Sequence, residues 1–442
     1  MAVSRFAGTG EIDAGALPIR WRLPMTSDSA RSRIDRIASL TALGRGLLLA
    51  AAVALLAGSA SALFLHALDW ATAARAARPW LLAGLPLAGF AVGWAYLRLG
   101  GRADGGNNLL IDEIHQPRQA LPLRMAPLVL LATVISHLFG ASVGREGTAV
   151  QMGGALADQL ARAFKLAREE RPVLLMCGIA AGFGSVFGTP LAGAVFALEV
   201  LAVGRLHHAV LLPCLVAALL ADRVALFWGV THAHYAVAPF GGLSLPRLGA
   251  LLLAGVLFGL TARLFAGASR ALAAQFKHRI AWAPLRPLLG GCVIAALGWS
   301  LGAERYLGLG LPVIEQSFEQ PLPAWDFAGK LAFTVASIGS GFKGGEVTPL
   351  FFIGATLGNA LAPLLQLPLD LLAAVGLVAV FAGAANTPLA CTLMAVELFG
   401  AALGMPAALG CAASYLCSGA QGIYHAQRPG AGKVVKPVPP AT

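Results

Sequence analysis

The sequence predicts an all-α integral membrane protein, because of its composition, two long apolar runs and a set of shorter, interrupted ones. Of the 442 residues, 57% are hydrophobic and 12% are charged, a balance outside the usual range of soluble globular domains. The apolar runs at 47–68 and 80–96 match the roughly 20 residues that a helix needs to cross a bilayer. Later runs, such as 173–187 and 331–338, are short and interrupted or ended by Gly, so we expect broken and tilted helices whose ends meet inside the protein.

The basic residues indicate membrane topology. The net charge is +11, but Lys and Arg are scattered between apolar runs and form no patch with interleaved aromatic residues, so nucleic-acid binding is not expected. They gather in a polar N-terminal segment, 1–40, in 162–171, in 277–279 and in a short tail, 427–442. This distribution predicts that both of these end segments are cytoplasmic. The six cysteines have no metal-ligand or paired spacing, so we expect free thiols, no bound metal and no cofactor.

The sequence contains an internal repeat. Gly144-Arg-Glu-Gly-Thr148 recurs about 200 residues later as Gly344-Gly-Glu-Val-Thr348, and Thr189-Pro-Leu-Ala192 recurs as Thr387-Pro-Leu-Ala390. Two matches in the same order and at nearly the same spacing predict two homologous membrane repeats, 41–235 and 236–426. The sequence alone leaves open whether the repeats are inverted, since that depends on the number of spans in each.

Two glutamates stand at the starts of predicted intramembrane helices. Glu146 follows a Gly-Arg turn and precedes an apolar run, and Glu346 occupies the matching place in the second repeat. The first N–H groups of a helix lack partners and favour an anion or a carboxylate. An ionisable residue within a membrane segment is costly, which favours a functional role over simple capping for Glu146 and, less strongly, for Glu346, whose alternative is a cap or an ion pair with Lys343.

A third motif, Gly105-Gly-Asn-Asn-Leu-Leu110, follows a spanning helix. Asn107 and Asn108 can donate side-chain N–H groups, although such a turn by itself is usually an ordinary loop. Asp112, Glu113 and His115 lie just beyond it. They lack a matching partner cluster, so a structural hydrogen-bond or ion-pair role is preferred over a metal site.

Taken together, these motifs resemble the CLC family of chloride channels and transporters, over about 41–424. The resemblance implies a homodimer in which each subunit holds its own anion pathway within two inverted repeats. It also implies that Glu146 is the gating glutamate, whose ionised carboxylate occupies an anion site and whose protonated form swings away. Tyr424 matches the pore tyrosine of the family, with a packed aromatic residue as the alternative, since Tyr415 lies close by.

Departures from the chloride-type pattern make the sequence similar to the bacterial fluoride/proton antiporter branch. Asn107 replaces the serine that touches the central anion, and Thr148 and the Gly345-Glu-Val-Thr-Pro349 turn differ from the chloride pattern as well. Val200 stands where chloride/proton antiporters carry an inner proton-relay glutamate, so Glu346 becomes the second carboxylate. The anion-binding residues implied by the resemblance are Asn107, Asn108, Gly144, Arg145, Gly147, Val347, Thr348 and Tyr424.

The predicted function is export of cytoplasmic fluoride in exchange for protons across the bacterial inner membrane, which would confer fluoride resistance. The first alternative is a chloride/proton antiporter or chloride channel of the same fold. A membrane-embedded enzyme is the second alternative, but the sequence has no recognisable nucleophile elbow or metal-ligand spacing.

Overall fold

The structure, a computed structural model, describes residues 29–204, 208–233, 235–238, 242, 244–430 and 433. Residues 1–28 of the predicted N-terminal segment, 1–40, lie outside the described residues. Most of the predicted tail, 427–442, lies outside them as well. The described residues form sixteen α-helices joined by turns and short 3₁₀ or π segments, and they contain no β-strand, so the all-α prediction is confirmed. The helices are α1 (Ser29–Ala77), α2 (Leu85–Ala95), α3 (Gly106–His115), α4 (Met125–Leu138), α5 (Glu146–Ala163), α6 (Arg171–Phe187), α7 (Pro190–Glu199), α8 (Leu211–Phe227), α9 (Leu245–Arg279), α10 (Leu285–Ser300), α11 (Leu311–Glu319), α12 (Asp326–Ser340), α13 (Val347–Leu365), α14 (Leu369–Ala385), α15 (Pro388–Phe399) and α16 (Gly404–Cys417).

The helices divide into long and short ones, as the apolar runs predict. Among the described residues, five helical stretches are long and apolar enough to cross a membrane, namely Leu43–Ala77, Pro79–His115, His208–Phe227, Leu245–Arg279 and Val347–Leu365. Seven other apolar helices are shorter. Large apolar side chains on the long helices point outward; Leu48 is 75% exposed and Phe227 is 83% exposed. Such an apolar exterior belongs in lipid, so the chain is a multi-pass membrane protein.

Close backbone contacts hold the short helices together in both halves. A Cβ atom at Gly153 on α5 would lie 2.2 Å from the carbonyl oxygen of Gly178 on α6. In the second half, a Cβ atom at Gly354 on α13 would lie 2.0 Å from the carbonyl oxygen of Gly376 on α14. No side chain fits at either position, and membrane helices use such small residues to bring backbones together. The abundant glycines therefore serve helix packing.

A pair of repeat-related glutamates links the two halves. The carboxylate of Glu199, at the end of α7, accepts hydrogen bonds from the N–H groups of Leu389 (3.1 Å) and Ala390 (2.8 Å) in the first turn of α15. The carboxylate of Glu397, near the end of α15, accepts hydrogen bonds from the N–H groups of Leu191 and Ala192, both at 2.8 Å, in the first turn of α7. Each helix caps the start of the other, so α7 and α15 run antiparallel, as inverted repeats require.

Candidate functional site

The two glycine-rich turns of the repeat meet inside the protein. The N–H of Gly144 donates to the carbonyl of Gly345 (2.5 Å), and the N–H of Gly345 donates to the carbonyl of Gly144 (2.7 Å). A Cβ atom at Gly345 would lie 2.8 Å from the backbone nitrogen of Gly147, so the turns can approach this closely only without side chains. The starts of α5 and α13, about 200 residues apart in the sequence, therefore face each other.

Glu146 lies at this junction. It is the first residue of α5 and is fully buried. Its carboxylate accepts hydrogen bonds from the hydroxyl of Thr348, from the N–H of Thr348 (3.1 Å) and from the N–H of Arg145 (3.1 Å). The Nε of Arg145 lies 3.5 Å from the same carboxylate. Because Thr348 is in the first turn of α13, a carboxylate from one half occupies the positive end of a helix in the other half, the place where an anion is favoured.

Glu346 immediately precedes α13 and is partly buried. Lys343, the ion-pair partner considered for it from the sequence, instead places its Nζ 2.6 Å from Oδ1 of Asp104. Ion pairs between described residues do not include Glu346. Two glutamates from opposite halves therefore lie close to the Gly144–Gly345 bridge, Glu146 two residues after Gly144 and Glu346 one residue after Gly345. Val347, the first residue of α13, is buried beside them.

Asn107 and Tyr424 line the same small cavity. The cavity has room for about one water-sized species. The side-chain nitrogen of Asn107 lies over the first turn of α5, 3.0 Å from where a Cβ of Gly147 would be, so Gly147 leaves room for this amide. The side-chain oxygen of Asn107 is buried and has no hydrogen-bond partner among the described residues. The remaining lining residues are Leu110, Ile111, Val150, Ile179, Phe196 and Val200.

The choice between the two late tyrosines follows from their surroundings. Tyr424 is buried, and the edge of its ring packs on Phe196 with ring centroids 6.3 Å apart. Tyr415 lies on α16, with the Nζ of Lys433 4.3 Å from its ring centroid. Tyr424 is therefore the tyrosine at the cavity.

Asn108 faces a different space from Asn107. Its side-chain oxygen accepts a hydrogen bond from the N–H of Ala426 (3.0 Å), and it lines an open vestibule. Partial burial, followed by the charges of Arg270 and Lys277, lowers the pKa of His425 in this vestibule. The other lining residues are Asp104, Gly105, Asp112 and Lys277. The vestibule lies beside the segment that carries Tyr424.

Glu113, one of the three residues first weighed as metal ligands, takes part in a network of ion pairs. It pairs with Arg102 and with Arg171, whose Nη1 lies 3.1 Å from its carboxylate, and it also accepts the N–H groups of Arg118 and Gln119. The network fixes the end of α3, the helix that carries Asn107. The contacts of Glu113 are the hydrogen bonds and ion pairs of a structural role, the role that the sequence predicts for it.

The aromatic cluster around Phe196, which lines the cavity, was not foreseen from the sequence. Phe196 stacks on Phe183 with ring centroids 4.4 Å apart, and both lie near Phe381, at 5.9 Å and 6.3 Å respectively. Phe183 and Phe381 occupy matching places in the two repeats, ahead of the Thr-Pro-Leu-Ala motifs. An extension of the repeat comparison to these positions would have identified the aromatic pair.

Known proteins resemble this chain over most of its length. A family model described as voltage gated chloride channel matches residues 88–419. A protein of Pseudomonas syringae pv. tomato named chloride/fluoride channel protein is 58% identical over 413 residues, which make up 92% of this chain and 91% of that protein. The crystal structure of a CLC-type fluoride/proton antiporter has a TM-score of 0.85 at 36% identity and covers 88% of this chain and 98% of its own. A slow cyanobacterial Cl⁻/H⁺ antiporter shares the fold, with a TM-score of 0.75 at 22% identity and coverage of 86% and 96%.

The fold and the meeting of two half-helices at a buried carboxylate define a multi-pass membrane transport protein. The chain belongs to the CLC family of chloride channels and transporters, since the family model covers most of it. The predicted family and its fold, with two inverted repeats of broken helices, are therefore confirmed. CLC proteins are transport proteins, which favours transport over the membrane-embedded enzyme considered from the sequence.

Proposed function

We propose that this protein exports cytoplasmic fluoride in exchange for protons and thereby confers fluoride resistance. The observation that carries the proposal is the Glu146 carboxylate held by the hydroxyl and N–H of Thr348, beside the cavity lined by Asn107. The names of the Pseudomonas relative and of the fluoride/proton antiporter structure support fluoride as the substrate.

Competition for the start of α13 would couple the two ions. When Glu146 is ionised, its carboxylate takes the donors of Thr348 and Arg145 and excludes another anion from them. Protonation removes the charge that the helix start favours, so the side chain leaves and the donors become free for fluoride. Fluoride is small and strongly hydrated and needs convergent donors to replace its water. Thr348, the Asn107 amide and the Tyr424 hydroxyl supply them.

The proton needs a second carrier in this scheme. Val200 lines the cavity at the position where the chloride/proton antiporters have their inner glutamate, so a carboxylate must act elsewhere. Glu346 is proposed as that second carboxylate, because it lies at the same bridged turns as Glu146 and is not engaged in an ion pair among the described residues. HF crosses membranes and ionises in neutral cytoplasm, so an inward proton flow is a suitable driving force for fluoride export.

The protein is proposed to lie in the bacterial inner membrane as a homodimer with both termini cytoplasmic. The start of the first spanning stretch, Leu43–Ala77, supports this topology, since Arg45 pairs with Glu170 at 3.3 Å and thus shares an end of the molecule with the basic segment 162–171. Basic segments favour the cytoplasmic side. The dimer follows from the resemblance to CLC proteins.

The test is flux from liposomes that contain the purified protein. Fluoride and chloride efflux are measured with and without a proton gradient, and proton uptake is followed in parallel. We expect fluoride efflux to drive proton movement and Glu146→Gln to abolish that coupling. Proton movement driven by chloride instead would favour the chloride/proton antiporter, and anion flux without proton movement would favour a channel. Coupled transport at the wild-type rate by the Glu146→Gln variant would remove Glu146 from the mechanism.

A further inference from the structure

The segment that carries Tyr424 has no helix or strand of its own, yet it is tied to the end of α14 on both sides of the tyrosine. Before the tyrosine, the N–H of Ile423 donates to the carbonyl of Ala384 (2.8 Å). After it, the side-chain Nε2 of Gln427 donates to the carbonyl of Ala385 (3.1 Å). Tyr424 is therefore held between two bonds to adjacent residues of one helix.

Asn386 completes this attachment. Its Nδ2 donates to Oε1 of Gln427 (2.9 Å) and lies 3.4 Å from the carbonyl oxygen of Ala420. One side-chain amide thus pairs with another, and the Gln427 amide uses both its oxygen and its nitrogen. Asn386 is 1% exposed, so its amide is shielded from water. Its hydrogen bond to Gln427 therefore holds the two side chains in a defined arrangement.

Comparison with the first repeat shows that Asn386 is not the ordinary residue for its position. Asn386 ends α14 in the left-handed conformation with φ 59°, and Gly188 ends α6 at the matching place of the first half with φ 70°. Glycine is the ordinary residue for this conformation, and asparagine tolerates it at some cost. Glycine would suit the backbone conformation at this position. The second half therefore carries a side chain that the local conformation does not require. That side chain reaches the Tyr424 segment.

We propose that Asn386 and Gln427 form a positioning pair that fixes the Tyr424 hydroxyl against the cavity and so sets the affinity for fluoride. The inference rests on the proposed function, because it assigns the Tyr424 hydroxyl a role in holding the ion. A donor that is fixed in place before the ion arrives does not lose conformational freedom on binding, so a fixed hydroxyl binds more tightly than a mobile one. Neither Asn386 nor Gln427 is among the residues that line the cavity, so both act through Tyr424.

The decisive variants are Asn386→Gly and Gln427→Ala. The first removes the amide but keeps a residue suited to the left-handed backbone, and it copies the first half of the molecule. The second removes the amide that pairs with Asn386, and Gln427 is partly exposed. We expect each to weaken the apparent fluoride affinity about threefold to tenfold, the effect of one or two hydrogen bonds. Gln427→Glu, which keeps the acceptor for Asn386 but loses the donor to Ala385, serves if either variant fails to fold. Gln421→Ala, at an exposed position of the same segment, is the matched control.

A cycle with Tyr424→Phe separates positioning from general damage. If the pair acts through the hydroxyl, Asn386→Gly and Gln427→Ala change the fluoride affinity of Tyr424→Phe by less than about twofold. The inference would be overturned if the amide substitutions lowered the fluoride affinity equally in the wild-type and Tyr424→Phe backgrounds. It would also be overturned if both amide variants, or the Tyr424→Phe variant, kept the wild-type fluoride affinity. These results would leave the proposed function standing if the wild-type protein exchanges fluoride for protons. Absence of fluoride flux in the wild-type protein would refute the proposed function itself.

Discussion

Thr348 binds the carboxylate of Glu146 through both its hydroxyl and its backbone N–H, although the two residues belong to opposite halves of the chain. The carboxylate that we propose as the gate belongs to one repeat and is therefore held by the first helical turn of the other. Thr148, the repeat counterpart of Thr348, binds the hydroxyl of Thr133 at 2.7 Å instead. The two threonines occupy matching positions but have different partners.

This asymmetry predicts different effects of the same substitution. Thr348→Val removes a hydroxyl that donates to the Glu146 carboxylate and that, in the proposed mechanism, donates to the anion once the carboxylate has left. We expect the apparent fluoride affinity to fall about tenfold or more, the cost of a charge-assisted hydrogen bond. Thr148→Val is the control and should change fluoride affinity by less than about twofold. Fluoride titration of liposome flux measures both, and an equal loss in the two variants would contradict the assignment.

Selectivity is expected to depend on Asn107. Its amide lies at the cavity and over the first turn of α5. Asn107→Ser shortens the side chain, replaces two amide N–H donors by one hydroxyl and enlarges the cavity, which favours a larger and less hydrated anion. We expect the ratio of fluoride to chloride efflux to fall, measured with ion-selective electrodes on the same liposomes. An unchanged ratio would show that this amide is not a selectivity contact.

Proton coupling is expected to depend on Glu346. Glu346→Gln keeps the shape of the side chain but prevents the gain and loss of a proton. We expect fluoride-driven proton uptake to fall at least about tenfold if this carboxylate carries the proton. Glu319→Gln, at an exposed position of α11, is the control. Coupled transport at the control rate would return Glu346 to a capping role.

The reciprocal caps of Glu199 and Glu397 are expected to stabilise the fold. Each carboxylate accepts hydrogen bonds from two N–H groups of the opposite helix. Glu199→Gln or Glu397→Gln should therefore lower the free energy of unfolding by about 1–3 kcal/mol. The double variant should cost less than the sum, because both caps join the same pair of helices. Thermal unfolding of the detergent-solubilised protein measures this. Strict additivity would mean that the caps act independently.

Much of the fold was predictable because membrane constraints are strong. Apolar length identified two of the five spanning stretches among the described residues, through the runs at 47–68 and 80–96. The repeated Glu-X-Thr turns identified the two half-helix starts that meet at Glu146 and Glu346. Contacts between distant segments were not predictable from spacing. The separation of Asn107 from Asn108 depends on the direction in which α3 presents each side chain, and the bond from Ala426 to Asn108 joins residues 318 positions apart. Neither feature has a local sequence signal.

The paired hydrogen bonds between Gly144 and Gly345 limit how this transporter can move. This seam of main-chain bonds would have to break if one half rocked against the other or slid along it as an elevator does. Rotation of a single glutamate side chain leaves the seam intact. We therefore expect the backbone to superimpose closely between states with the ion path open to either side, with transport taking place inside a nearly rigid frame.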